Sequence, residues 1–134
     1  MVQGTSGTAS GLVFRYQNDD NFYRFNVTGN GLYNLELMSR GTLTVLIDWT
    51  PSHAIRQIDT RQSTFMAARQ PPAPVWNGLR VALHGKEMTL FVNGAALETT
   101  VDGTFSRGAV ALSVNTFGSG AAVCFDNLFV GRNN

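Results

Sequence analysis

Between Gly11 and Ser39 the sequence GLVFRYQNDDNFYRFNVTGNGLYNLELMS alternates apolar and polar residues through three successive runs, and this period confines the stretch to antiparallel sheet. Leu12, Phe14 and Tyr16 alternate with Val13, Arg15 and Gln17, and Tyr23, Phe25 and Val27 resume the pattern after the turn residues Asn18 to Asn21. If Gln17 faces Phe22, then Tyr16 faces Tyr23, Phe14 faces Phe25 and Leu12 faces Val27, all on one buried side. A slip of one residue would bury Arg24 instead. Gly29-Asn30-Gly31 tolerates positive φ, and a three-residue loop there sets Tyr33, Leu35 and Leu37 opposite Val27, Phe25 and Tyr23. After the turn at Arg40-Gly41, TLTVLIDW adds a fourth strand, with Leu43, Val45, Ile47 and Trp49 inward, Ser39 facing Leu43 and Leu37 facing Val45.

Farther along, GLRVALHGKEMTLFVNGAAL is a second hairpin signal. It pairs Leu79, Val81 and Leu83 with Val92, Leu90 and Met88, and Asn93-Gly94 fits a type I′ turn that brings Leu97 opposite Leu90. AVALSVN and AVCFDNLFVG supply the last strands. A chain of 134 residues with 14 glycines suits one domain of many short strands joined by tight turns. The expected fold class is all-β, an antiparallel sandwich, with residues 1–10 a flexible lead-in and residues 11–134 a single domain. Residues 50–77 interrupt it as a long insertion loop. Ile55, Ile58, Gln62, Phe65 and Met66 are spaced like one face of a short helix there, against which Thr60, Ser63 and Thr64 count.

The formal net charge of +1 argues against a nucleic-acid partner held by a broad basic surface. No apolar run has the length of a membrane span, and MVQGTSGTAS lacks the basic end and apolar centre of a signal peptide. Cys124 is the only cysteine, which excludes an intrachain disulfide and a cysteine-rich zinc site. Nine of the ten cations are arginine, the residue suited to planar, bidentate polar contacts.

Taken together, GLVFRYQNDDNFYRF, LIDWTPSHAI, NGLRVALHGKEMTLFVNGAAL, DGTFSRGAVAL and VCFDNLFV resemble the laminin G-like and concanavalin A-like lectin/glucanase group, from about Gly11 to Val130. The resemblance implies a jelly roll of two antiparallel sheets, found in secreted, periplasmic or cell-surface proteins as a sugar-binding or adhesive module. A similar group is the 3-keto-disaccharide hydrolase domains, which keeps a hydrolase among the readings. Such domains begin with further strands before the one resembling GLVFRYQ. Their absence would leave a sheet edge open for a strand from the lead-in, from another copy or from a different protein.

The register above puts Arg15 across from Arg24, with Glu36 beside Arg24 on the next strand, a polar platform for a sugar or a partner's acid. A solvated surface in which the charges compensate one another is the simpler account. Arg80 faces outward near Phe91. Trp76 and Trp49 flank the long loop, and Trp76 is the better placed for stacking on a sugar ring, although tryptophan at a strand end is more often packing. The ligand-binding candidates are therefore Arg15, Arg24, Glu36, Trp76 and Arg80. Arg56, Arg61, Phe65, Met66 and Arg69 in the long loop are candidates for contact with another protein chain, in a homo-oligomer or a larger assembly.

Catalytic residues are not expected. The glucanase members of the group carry closely spaced acids along one strand, whereas Asp19-Asp20 falls in a turn and His53 and His84 lie in unrelated segments. Calcium, common in the group, would need several converging oxygens, and Asp48, Asp102 and Asp126 form no ligand series, so no cofactor is expected. Asn26-Val27-Thr28 matches an N-glycosylation acceptor but falls within a strand. The expected function is non-catalytic binding of the lectin type, with carbohydrate as ligand. The alternatives are a structural subunit docking through its open edge and long loop, and a 3-keto-glycoside hydrolase.

Overall fold

The computed structural model describes residues 2–3, 8–57, 76–116 and 124–125. Strands β1 (Val2–Gln3), β2 (Thr8–Asn18), β3 (Asn21–Thr28), β4 (Leu32–Ser39), β5 (Thr42–Pro51), β6 (Leu79–His84), β7 (Glu87–Val92), β8 (Ala95–Val101), β9 (Ala109–Thr116) and β10 (Cys124–Phe125) follow in chain order. β2 starts at Thr8, inside the stretch whose composition reads as a lead-in. One antiparallel sheet has the order β5-β4-β3-β2-β9, a second the order β6-β7-β8, and β1 pairs with β10. The expected edge beside β2 is not open, because β9 pairs along it from Thr8↔Thr116 to Tyr16↔Ala109.

The two larger sheets pack face to face. Phe14, Tyr23, Phe25, Val27, Tyr33, Leu35, Leu37 and Ile47 of the first meet Met88, Leu90 and Val92 of the second, with Ile55 beside them. The centre is dry, with Tyr23, Phe25, Leu35, Met88, Leu90 and Val92 all at 0% exposure. Burying an aliphatic or aromatic side chain of this kind contributes about 1.5–3 kcal/mol, so the alternating positions provide the main cohesion of the fold.

Two hairpins have the register their sequences predict. Val27 faces Tyr33, Phe25 faces Leu35 and Tyr23 faces Leu37, while Leu79, Val81 and Leu83 face Val92, Leu90 and Met88. Asn93 and Gly94 both have positive φ, 52° and 83°, as a type I′ turn requires.

Three registers differ from expectation. In β2–β3 the chain turns at Asp19-Asp20, with Asn18 opposite Asn21, and an irregularity between Phe14 and Asn18 shifts the remainder by two residues. Phe14 therefore faces Tyr23 and Leu12 faces Phe25. An even shift preserves which face is buried, and only the pairings change. Tyr16, expected in the core, instead stacks on Phe22 with ring centroids 6.0 Å apart. In β4–β5 the turn at Arg40-Gly41 has two residues, both at positive φ (53° and 75°), so Ser39 faces Thr42 and Leu37 faces Thr44. The odd shift turns Leu43 and Val45 out to 47% and 50% exposure. A bulge between Leu35 and Glu36 then absorbs Leu46 and returns Ile47 to the core opposite Leu35. In β7–β8 a similar shift puts Glu98 opposite Leu90 and leaves Leu97 half-buried against the core.

Polar bonds also cross between the sheets. The Tyr33 hydroxyl donates to Glu98 Oε1 at 3.1 Å, and the Tyr23 hydroxyl donates to Asp102 Oδ1. The helix considered for the long loop falls outside the described residues.

Candidate functional site

Because Tyr23, Phe25 and Val27 point into the core, Phe22, Arg24, Asn26 and Thr28 occupy the opposite face of the five-stranded sheet, and on β4 the same parity places Asn34, Glu36 and Met38 there. Register aligns these residues in rows. Asn26 lies opposite Asn34, Arg24 opposite Glu36, and Phe22 opposite Met38. The neighbouring strands extend the rows, with Val45 across from Glu36, Leu43 across from Met38, and Val13 on the far side of Arg24. The face therefore grades from an amide row through a charged row to an apolar row.

Within it the polar side chains form one connected ladder. Asn26 Nδ2 donates to Asn34 Oδ1 at 3.0 Å, and Asn34 Nδ2 donates to Glu36 Oε1 at 3.0 Å. Glu36 Oε2 accepts from Arg24 Nε at 3.0 Å and from Arg24 Nη2, which makes the ion pair. The Arg24 guanidinium lies 5.8 Å from the centroid of the Phe22 ring. Asn26 and Asn34 are both 1% exposed, whereas the Arg24 side chain is 20% exposed, so the ladder descends from solvent into the protein. Burial of charge at its outer end makes the pair interdependent, since removing either partner strands the other in a poorly solvated position.

The structure brings together only two of the five ligand-binding candidates, Arg24 and Glu36. Arg15 is not opposite Arg24, a position Val13 occupies. It sits in the β2 irregularity at φ 50°, is 6% exposed, and donates through Nη1 to the Phe105 carbonyl at 3.0 Å and through Nη2 to the Gly85 carbonyl at 2.7 Å. Its role is to join the sheets. Arg80 is on the outer face of the second sheet, 4.1 Å from the Phe91 ring centroid. Trp76 is half-buried just before β6, and its carbonyl accepts from Arg56 Nη1 at 3.1 Å.

Arg56 is exposed, and its N–H donates to Asn77 Oδ1 at 2.8 Å. The other partner-contact candidates, Arg61, Phe65, Met66 and Arg69, lie outside the described residues. Asn77 and Asn93 clamp the stems of the long loop together, with Asn93 Nδ2 donating to Asn77 Oδ1 at 3.0 Å and to the Ala54 carbonyl at 2.7 Å. Among the described residues no three His, Cys, Asp or Glu side chains gather where they could hold a metal ion, and no helix is long and apolar enough to cross a membrane.

Sequence reasoning missed Asn26 and Asn34 as site residues. Their juxtaposition follows from the pairing of Val27 with Tyr33, but amides carry no charge to draw attention. Asn26, noted only as a glycosylation match, is buried with its Nδ2 bonded to Asn34, which takes it out of reach as an acceptor in the folded chain.

Solved structures share the antiparallel β-sandwich fold of this chain. The chain is similar to the carbohydrate-binding module CBM66 from Bacillus subtilis, with a TM-score of 0.63 and 19% sequence identity, over 94% of this chain and 69% of that one. Galectin LEC-6 from Caenorhabditis elegans has a TM-score of 0.47 and 17% identity, over 92% of this chain and 80% of that one. No family model matches the sequence, and no curated protein matches it.

Proposed function

We propose that this chain is a non-catalytic carbohydrate-binding module that engages its ligand on the outer face of the five-stranded sheet, at Arg24 and Glu36. The observation that carries the reading is the hydrogen-bonded ladder Asn26–Asn34–Glu36–Arg24, whose charged end meets solvent beside the exposed apolar side chains of Leu43 and Val45. Saccharides need fixed donors and acceptors for their hydroxyls and an apolar surface for their C–H faces, and these adjoining rows offer both. The likeness to a fold that carries a named carbohydrate-binding module supports the same reading. A secreted or cell-surface setting belongs with it.

The test is a glycan array with the whole chain, followed by titration calorimetry of the sugar it selects against wild type, Arg24→Ala and Glu36→Gln. Loss of about tenfold or more in affinity in both variants, with the fold retained by circular dichroism, is the expected result. Unchanged affinity in both would remove this site, and turnover of a 3-keto-glucoside would replace the module with a hydrolase.

A second reading, a structural subunit within an assembly, is favoured by the half-exposed Leu43 and Val45 on the edge strand β5. A blank array together with a defined complex in light scattering would select it.

A further inference from the structure

The five-stranded sheet is open at β5 rather than beside β2. Among the described residues β5 pairs with β4 alone and ends the sheet. Thr42, Leu43, Thr44 and Val45 are all exposed, so neither face of this part of the strand is covered. Natural sheets protect such an edge with charge, proline or a bulge. Thr42 to Val45 holds no charge and no proline, and the bulge at Leu46, Asp48 and Pro51 all come after it. Its residues are β-branched or leucine, a composition that favours strand pairing.

Parity identifies the free backbone groups. The two-residue turn at Arg40-Gly41 closes on Ser39 and Thr42, which exchange hydrogen bonds, so by alternation Thr42 and Thr44 bond β4. Leu43 and Val45 therefore direct their N–H and C=O groups away from the sheet. This segment is complementary to itself. Laid antiparallel against another copy about an axis through Thr44, Leu43 falls opposite Val45 of the other copy, and Val45 opposite its Leu43. These are the positions whose backbone groups are free, and Thr44 meets Thr44 in the non-hydrogen-bonded position between them. Leu43 and Val45 share the outer face, so the paired apolar side chains lie side by side. The same register brings the Arg40 end of each strand beside the Asp48 end of the other. Both residues are exposed, and among the described residues neither has an ion-pair partner.

We propose that β5 is an interface between two copies of this chain, which pair antiparallel about Thr44 and join their sheets edge to edge. The two-fold axis stands perpendicular to the joined sheet, so both Arg24–Glu36 pairs face the same side. The interface depends on the edge and not on what the outer face binds. A contact confined to one short strand buries little area, so the dimer is weak, with a dissociation constant on the order of micromolar or above.

Sedimentation velocity of the whole chain over a concentration series tests this, and wild type is expected to pass from monomer to dimer. Thr44→Lys and Thr44→Glu each set a charge against itself across the axis. Each is expected to weaken the dimer about fivefold or more, with the fold retained by circular dichroism, and an equimolar mixture of the two is expected to recover it as a heterodimer. Only pairing between copies at this residue produces that recovery. Amide hydrogen exchange reads the same contact in wild type, should a variant not fold: Leu43 and Val45 are expected to exchange more slowly as concentration rises. A chain that stays monomeric up to about millimolar overturns the proposal. So does a dimer indifferent to both charges, a mixture no tighter than either variant alone, or exchange at Leu43 and Val45 that ignores concentration.

Discussion

Arg15 shows how far one residue can depart from its place in a pattern. Strand alternation sets it on the outer face, yet it adopts φ 50° and buries its guanidinium against the Gly85 and Phe105 carbonyls of the opposite layer. Left-handed geometry is unfavourable for a residue with a Cβ, by about 1–3 kcal/mol, and the two charge-assisted bonds hold it there. Arg15→Ala is expected to lower the unfolding free energy in urea by about 2–3 kcal/mol, and Arg15→Gly, which relieves the strained φ, by less. Tyr23 and Asp102 make a second contact between the layers, and this one titrates. Burial and the bond to Asp102 raise the Tyr23 hydroxyl above its ordinary 10.0. At Asp102 burial acts to raise the carboxyl, but hydrogen bonds from Tyr23 and Thr104 outweigh it and hold the group below its ordinary 3.8. The depressed Asp102 stabilises the fold fully above that ordinary value, and the contribution is lost as the pH falls through the lower folded value. The raised Tyr23 contributes fully below 10.0 and is lost as the pH rises through the higher folded value. Thermal melts are therefore expected to fall off at both extremes, and Tyr23→Phe is expected to flatten the decline below roughly pH 4 and above roughly pH 10.

At the scale of elements, β5 turns on the conformation of two residues. A three-residue loop would have buried Leu43 and Val45, but Arg40 and Gly41 form a two-residue turn at positive φ, and the parity of the strand inverts. The bulge at Leu46 restores it at Ile47, and a second irregularity between Leu35 and Tyr33 then sets Thr50 rather than Trp49 opposite Tyr33. Leu43→Ser and Val45→Ser are accordingly expected to change stability by no more than about 0.5 kcal/mol each, whereas Ile47→Ala is expected to cost about 2–5 kcal/mol in the same denaturant titration. Equal losses at all three positions would restore the register that the sequence suggests. The contrast also matters for the site. Only the inverted half of β5 places apolar side chains beside Glu36 and Met38.

Across the whole molecule, the features legible from the residues alone are local in origin. Alternation through β2 to β5 defined a meander, and the Gly29-Asn30-Gly31 and Gly85-Lys86 turns fixed the registers they close, because a short turn and its flanking strands carry their own geometric information. From the β3–β4 register, the pairing of Arg24 with Glu36 was legible too. Tertiary structure alone decided the rest. β9 closes on β2, and Val2 meets Phe125, across nearly the full length of the chain, and no nearby residue encodes such a partner. Irregularities in β2 and β8 reassigned Arg15 and Leu97, because an extra residue in one strand is accommodated only against the strand beside it, and the two-residue turn at Arg40-Gly41 reassigned Leu43 and Val45. Asn26 and Asn34 read as ordinary polar positions until burial showed one oxygen without a donor. Parity states which face a side chain occupies; whether water reaches that face depends on what the remainder of the fold lays over it.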